Sequence, residues 1–469
     1  MTIKPSVQSI SDTLTRSSVK KSTRRYDSTV DRNAPASKKC DSYDPHDYGN
    51  ENHPTIFWGP ALHFFKAIVG TGILALPATF ESVGYAIAIP STILIGVLYM
   101  HIIHVLLDVE YELCKILKIP NLTYVGVVQQ CFEQGPKPLQ RFTLTAKFLV
   151  YFHYVVNGSL GNAVYLITIA GNFKMIIDYT YNVNSDIKVI ISIVIVPLII
   201  LGLIKNLKFL VPMSTISNAF NFINIFLILY ISSNHAGTSN DDVRAVNDVL
   251  KFPTFFGIVL GALTGTGMVL PLKNDMKNPR EFSTVFGVLH LALVTSTILY
   301  VIFGFLGYVK YGSLIQPNIL NNLPPENNLT FMVLLLCSVA ICVSYTLFVY
   351  VAFDTVWSNA YDSTFSRMQN RMYMERGIRL GLTILPYFIA MAIPNFQILV
   401  SIGGVIGILI EVAVPPFIQI LILTARSEQK TRMTYVIIFK DMFIVALALF
   451  LFVGGVINVI DTITAFFSQ

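Results

Sequence analysis

A helix needs about 20 apolar residues to cross the roughly 30 Å hydrocarbon core of a bilayer, and this chain holds eleven runs of about that length, at residues 56–80, 85–107, 148–170, 187–204, 209–231, 254–272, 284–308, 329–353, 377–393, 396–424 and 436–460. The runs predict an all-α integral membrane protein with eleven transmembrane helices; the ninth is the weakest, since Pro386 interrupts it and Pro394 closes it. Of the 469 residues 54% are hydrophobic and 13% charged, whereas a soluble domain carries about a quarter charged residues. A soluble enzyme is therefore excluded. A nucleic-acid-binding protein is excluded too, because the 33 Lys and Arg form no single basic face of the kind phosphate binding requires. The five cysteines (Cys40, Cys114, Cys131, Cys337 and Cys342) show neither CxxC spacing nor scaffold density, so no zinc, other metal or cofactor is expected.

Short cytoplasmic loops accumulate Lys and Arg. The even-numbered connections hold sixteen such residues and the odd-numbered ones five, which places the N-terminus in the cytoplasm and the C-terminus outside or in a lumen. The sequon at Asn328 falls in the seventh connection, on the side where glycosylation takes place. Residues 1–54 are expected to be a disordered cytoplasmic tail, with 13 Ser or Thr in the first 39 positions and three basic pairs. The transmembrane domain would then be 55–465, with 466–469 a short non-cytoplasmic end.

The first run contains Gly70-Thr71-Gly72 and then Pro77; the sixth contains Gly265-Thr266-Gly267 and then Pro271, 195 positions later. Five spans separate the two copies, so they enter the membrane from opposite faces, the signature of a five-plus-five inverted repeat with the eleventh helix as an addition. Gly and Pro in mid-membrane predict a broken helix, and non-helical backbone at that depth needs protein or a cavity around it. The two breaks are therefore expected to meet at a central site. Freed N–H groups would hold a carboxylate there and freed carbonyls an ammonium or a cation, a polarity that suits a zwitterion.

These residues carry a family resemblance. Leu62-His63-Phe64-Phe65-Lys66 leading to Gly70-Thr71-Gly72 and Pro77, the stretch from Gly265 to Asn274 with Met276 to Pro279 after it, Pro415-Pro416, and the segment from Tyr124 to Gln140 resemble a proton-coupled amino acid transporter of the amino acid/auxin permease family, in the animal branch that carries small neutral amino acids. The similarity extends over about residues 55–465. It implies a LeuT-like fold with broken helices 1 and 6, alternating access, and import driven by a proton gradient across the plasma membrane or a lysosomal or endosomal membrane. By the same resemblance His63 aligns with a histidine linked to proton coupling, and Gly70 to Gly72 and Thr264 to Gly267 align with the substrate-cradling breaks. Three departures stand out: Thr264 replaces the glutamate of many relatives, Glu411 occupies a position that is apolar in relatives, and no two cysteines fall in external loops to form the disulfide of some relatives.

An ionisable group inside a span is a functional candidate by default. His63, Lys66, His153, His290 and Glu411 lie in the runs. His63 can titrate in the range a symporter uses, against the ordinary roles of capping or packing. Lys66 reads as a snorkelling anchor, and Glu411 is the second proton-coupling candidate, against a neutral carboxyl bonded to a neighbouring helix. Tyr151 and Asn157 on the third span, with Ser344 and Tyr345 on the eighth, are substrate-binding candidates, against plain interhelical bonding. The expected function is secondary active transport of small neutral amino acids (the alanine, glycine and proline class) with a proton toward the cytoplasm. Two alternatives stay open: Na+ held between the first break and Ser344 and Thr346, or an amino-acid sensor signalling through the tail. No enzymatic cluster shares a face.

Overall fold

The computed structural model describes residues 43–47, 57–203, 207–234, 243–263, 265–360, 371–425 and 432–468. The expected tail, apart from 43–47, lies outside the described residues, as does Thr264. All the helices below belong to one unit, Asp44–Gln469.

The first run is broken where its glycines stand: α1 (Trp58–Ile68) ends, Gly70 is extended, a 3-10 turn covers Thr71–Ala75, and α2 (Leu76–Val83) takes Pro77 in its first turn, where a missing N–H costs nothing. Then come α3 (Tyr85–Leu117), the amphipathic α4 (Tyr124–Gln134), α5 (Thr143–Tyr181), α6 (Ile187–Gly202) and α7 (Leu207–Asn234). The sixth run breaks in the same manner into α8 (Phe252–Leu263) and α9 (Thr266–Asn274). After α10 (Val288–Tyr311), α11 (Asn328–Ala360) and α12 (Arg371–Ala392), the tenth run divides into α13 (Phe396–Gly407), a π-helical turn over Ile408–Ala413, and α14 (Val414–Ala425); α15 (Arg432–Phe467) ends the fold.

Among the described residues nine helices are long and apolar enough to cross a membrane. The expected fourth and ninth spans stand where α6 and α12 lie: α6 has 16 residues, and α12 opens with Arg371, Glu375, Arg376 and Arg379. Helix α5 outruns the expected 148–170 at both ends, because Lys174 and Asp178 pair at 2.7 Å and let the helix continue past its apolar stretch. The amphipathic reading of the second connection is seen in α4, which buries Tyr124, Val125, Val127, Val128 and Cys131.

The packing obeys the repeat. The first and second spans pack on the seventh, and the sixth on the second; the third and fourth pack on each other and on the ninth, with the eighth on the third, fourth and ninth. Adding five to each span number maps these pairings onto one another: the fifth on the eighth (α7 with α11) becomes the tenth on the third (α13 with α5). The core thus holds two four-helix sets, 1-2-6-7 and 3-4-8-9, and each takes half its helices from each half of the chain.

Candidate functional site

The two breaks touch. A Cβ on Gly72 would lie 2.8 Å from the Cβ of Ala262 on α8, so only glycine permits this approach. Each half-helix leaves carbonyls without partners in its last turn, and the buried Tyr300 of α10 serves both: its hydroxyl lies 2.8 Å from the Ile68 carbonyl ending α1 and 2.9 Å from the Ala262 carbonyl near the end of α8. Its single proton is shared between them.

A cavity opens beside the first break, lined by Gly70, Thr71, Tyr165, Asn221, Asn224 and Ser344 among others. Asn224 is 4% exposed, and neither its carboxamide oxygen nor its nitrogen has a partner. Buried amides are ordinarily satisfied, so an unpaired one in a cavity between the first break and α5, α7 and α11 makes Asn224 a candidate ligand-binding position. The cavity measures about 30 Å³, room for water alone; an amino acid enters only if the elements that line it move apart.

The second break is filled with side chains. Tyr99 of α3, fully buried, accepts from the Gly265 N–H at 2.9 Å and bonds to the Thr266 hydroxyl at 2.8 Å. Thr266 in turn donates to Glu411 Oε2 at 3.2 Å, so Tyr99 donates to Thr266. Glu411 Oε1 lies 3.4 Å from His153 Nε2 on α5. Glu411 sits in the π turn because Pro415 and Pro416 remove the N–H groups that the carbonyls of Glu411 and Val412 would accept from, and a wide turn with a repositioned side chain follows. Tyr124 of α4 donates to the Ile410 carbonyl in that turn at 3.0 Å.

The structure therefore brings together Gly70, Thr71, Gly72 and Ser344 at the first break, and Gly265, Thr266, Gly267 and Glu411 at the second. It does not bring the other sequence-derived candidates to the cavity. Tyr345 is fully buried and donates to the Thr383 carbonyl on α12 at 2.7 Å; Asn157 lies against Gly403 of α13, its Oδ1 3.3 Å from where a Cβ there would stand. Tyr151 is half-buried on α5 and His63 is exposed on α1. Thr346 donates back to the Cys342 carbonyl at 3.0 Å. Asn328 is the exposed first residue of α11.

Asn221, Asn224 and Tyr165 are absent from the sequence-derived set. A signal existed: Asn218, Asn221 and Asn224 recur every three residues, a stripe of carboxamides in a mostly apolar span. Lys273, counted above among loop charges, is instead buried with its ammonium on the buried Glu110 carboxylate. A third buried carboxylate, Asp441 of α15, has Lys440 Nζ at 3.0 Å, and that amine also lies 2.9 Å from His101 Nε2. Among the described residues no group of three or more His, Cys, Asp or Glu could hold a metal ion.

With this geometry in hand, comparisons place the chain among known proteins. Residues 53–461 match the family model described as transmembrane amino acid transporter protein. The chain is 29% identical over 353 residues to the proton-coupled amino acid transporter-like protein pathetic of Drosophila melanogaster, covering 75% of this chain and 74% of that one. It is 27% identical to the probable amino acid transporter skat-1 of Caenorhabditis elegans, over 49% of this chain and 51% of that protein. Among solved structures it resembles the inward-facing conformation of Mhp1 (TM-score 0.53, 12% identity, 87% and 91% of the two chains) and a manganese transporter mutant of Eremococcus coleocola (0.51, 13%, 90% and 92%). At these identities the likeness is one of fold.

Proposed function

Because the chain belongs to the transmembrane amino acid transporter family, we propose that it is a secondary active transporter that moves small neutral amino acids with a proton toward the cytoplasm. The observation that carries the reading is the cavity at the first break with the unpaired Asn224 amide inside it. A zwitterion suits it. The N–H groups of the 3-10 turn after Gly70 would face the carboxylate, and the carboxamide oxygen of Asn224 and the hydroxyl of Ser344 would take ammonium protons. Between the two proton-coupling candidates the geometry favours Glu411, which is buried against Thr266 at the second break, over His63, which is exposed. The N-terminus is cytoplasmic in this reading, the C-terminus extracellular or lumenal, Asn328 glycosylated, and the membrane the plasma membrane or that of a lysosome or endosome.

The test is uptake of radiolabelled alanine, glycine and proline into proteoliposomes under a pH gradient, a sodium gradient and neither. Accumulation that follows the inward proton gradient and collapses with an uncoupler supports the reading. The same cavity favours one competitor, since its amide and hydroxyl oxygens also suit a hard cation; accumulation on the sodium gradient alone would replace the proton with Na+. Binding without accumulation on any gradient would replace transport with sensing, and deleting residues 1–50 would then abolish the signal.

A further inference from the structure

Resting on the proton-symport reading, we propose that the transported proton is held jointly by Glu411 and His153, and that the second break senses its presence through Thr266 and Tyr99.

The pair lies where the π turn meets α3, α4, α5 and α9, with α8 and α15 also packed on the turn; α8 carries no titratable side chain, and those of α15 are Arg432, Tyr435, Lys440, Asp441 and Asp461. Tyr99 comes from α3, Tyr124 from α4, and His153 and Tyr154 from α5, while Thr266 of α9 contributes a hydroxyl. The tyrosines are neutral. Among the described residues the one ion-pairing partner within 4.0 Å of Glu411 is His153, and the two are 7% and 3% exposed. With one exchangeable proton the pair is neutral, whether that proton sits on the carboxyl or on the imidazole. Without it the pair carries a full negative charge in a buried site where, among the described residues, no Lys or Arg pairs with it within 4.0 Å, which burial strongly opposes. The closed packing seen here is thus the proton-loaded state, and loss of the proton requires water to reach the pair.

Hydrogen bonds carry this state to the break. Gly265 N–H donates to Tyr99, Tyr99 to Thr266, and Thr266 to Glu411 Oε2. All three donations run toward the carboxylate. A change in charge or position of Glu411 therefore changes the acceptor that fixes the first residue of α9, and with it the second break, whose preceding helix touches the first break where Ala262 meets Gly72. The nitrogen of His153 facing away from Glu411, Nδ1, is buried without a partner, so the imidazole is held in place by the carboxylate and is free to reorient when that bond is released.

The experiment compares wild type, Glu411→Gln, His153→Gln and Thr266→Val in proteoliposomes, reading alanine accumulation and, with a trapped pH dye, alanine-evoked proton entry. Glu411→Gln removes the counter-charge, so that burial opposes a proton on the remaining His153, and it should lose proton entry and accumulation, with the pH response of residual alanine exchange strongly reduced. His153→Gln, which keeps a donor but no base, should move half-maximal uptake about one unit toward acid pH; this shift tests the proposal even if Glu411→Gln does not fold. Thr266→Val should lower the number of protons entering per alanine, because the pair still loads but the break no longer follows it. A Glu411→Gln protein with the wild-type pH response, or a His153→Gln protein with an unmoved pH midpoint, overturns the shared site and leaves symport standing. Wild-type alanine uptake with no proton entry overturns the symport reading itself.

Discussion

Tyr300 shows how much a single hydroxyl can hold in a membrane interior. It is the side-chain partner of two helix-end carbonyls; phenylalanine would leave the Ile68 carbonyl to the Gly70 N–H at 2.8 Å and take the side-chain donor from the Ala262 carbonyl. Leaving a buried acceptor unpaired costs about 1–3 kcal/mol, so Tyr300→Phe should lower the thermal midpoint in detergent by several degrees with the fold retained, measured by fluorescence-detected unfolding. Asn224 is the opposite case, a side chain whose bonding is unmet. Asn224→Leu is expected to raise the alanine KM more than tenfold, about 1.4 kcal/mol or more of lost binding, while leaving the unliganded melting point unchanged or higher. The two residues differed in legibility. The asparagine stripe could be read from spacing alone, but Tyr300 could not, since its role depends on two carbonyls 38 and 232 positions away.

At the scale of elements, the breaks were the most legible feature because glycine and proline act locally. What spacing did not reveal was their inequality: one opens on a cavity, and the other is packed by Tyr99 and by Tyr154, whose ring lies 3.0 Å from where a Cβ on Gly267 would stand. Helix α8 meets α13 glycine to glycine, and a Cβ on Gly404 would lie 2.4 Å from the Gly257 carbonyl oxygen. Gly404→Ala should therefore force the sixth and tenth spans apart, costing about 1–3 kcal/mol and disturbing the Thr266 to Glu411 bond, visible as lower stability together with a shifted pH profile of uptake. A short element before α1 also responds to pH. Asp44 pairs with Arg280, and His46 stacks on Tyr111 with ring centroids 4.8 Å apart. Burial, then Lys273, holds the His46 imidazole below its ordinary 6.5. Partial burial opposes the fall at Asp44, but the His46 N–H and the Arg280 guanidinium outweigh it and hold that carboxyl below 3.8. Docking through His46 is therefore complete above pH 6.5 and weakens as pH falls through its lowered value, whereas the Asp44 contribution is lost only below 3.8. A nitroxide at position 47 should gain mobility between pH 7 and 5, and in His46→Ala it should be mobile already at pH 7.

At the scale of the molecule, helical class and inverted repeat were legible, since they rest on periodicity and on the spacing of the two breaks, whereas nine of the eleven expected spans stand as membrane-length helices among the described residues. The Glu411 and His153 pairing was not, because the two stand 258 residues apart and only the π turn at Pro415-Pro416 aims the carboxylate at α5. Lys273 was misread for a similar reason: a lysine near a helix end looks like a loop charge until its Glu110 partner, 163 residues away, is known. The exchange of helices between the two halves also bears on biogenesis. At about 5–20 residues per second, the 258 residues between His153 and Glu411 take roughly 13–50 s to synthesise. For that interval the third span carries an imidazole with no carboxylate beside it, while the 1-2-6-7 set waits for Tyr311 and the 3-4-8-9 set for Ala392. The nascent first half must be sheltered by lipid, by the insertion machinery or by a chaperone until its counterparts emerge.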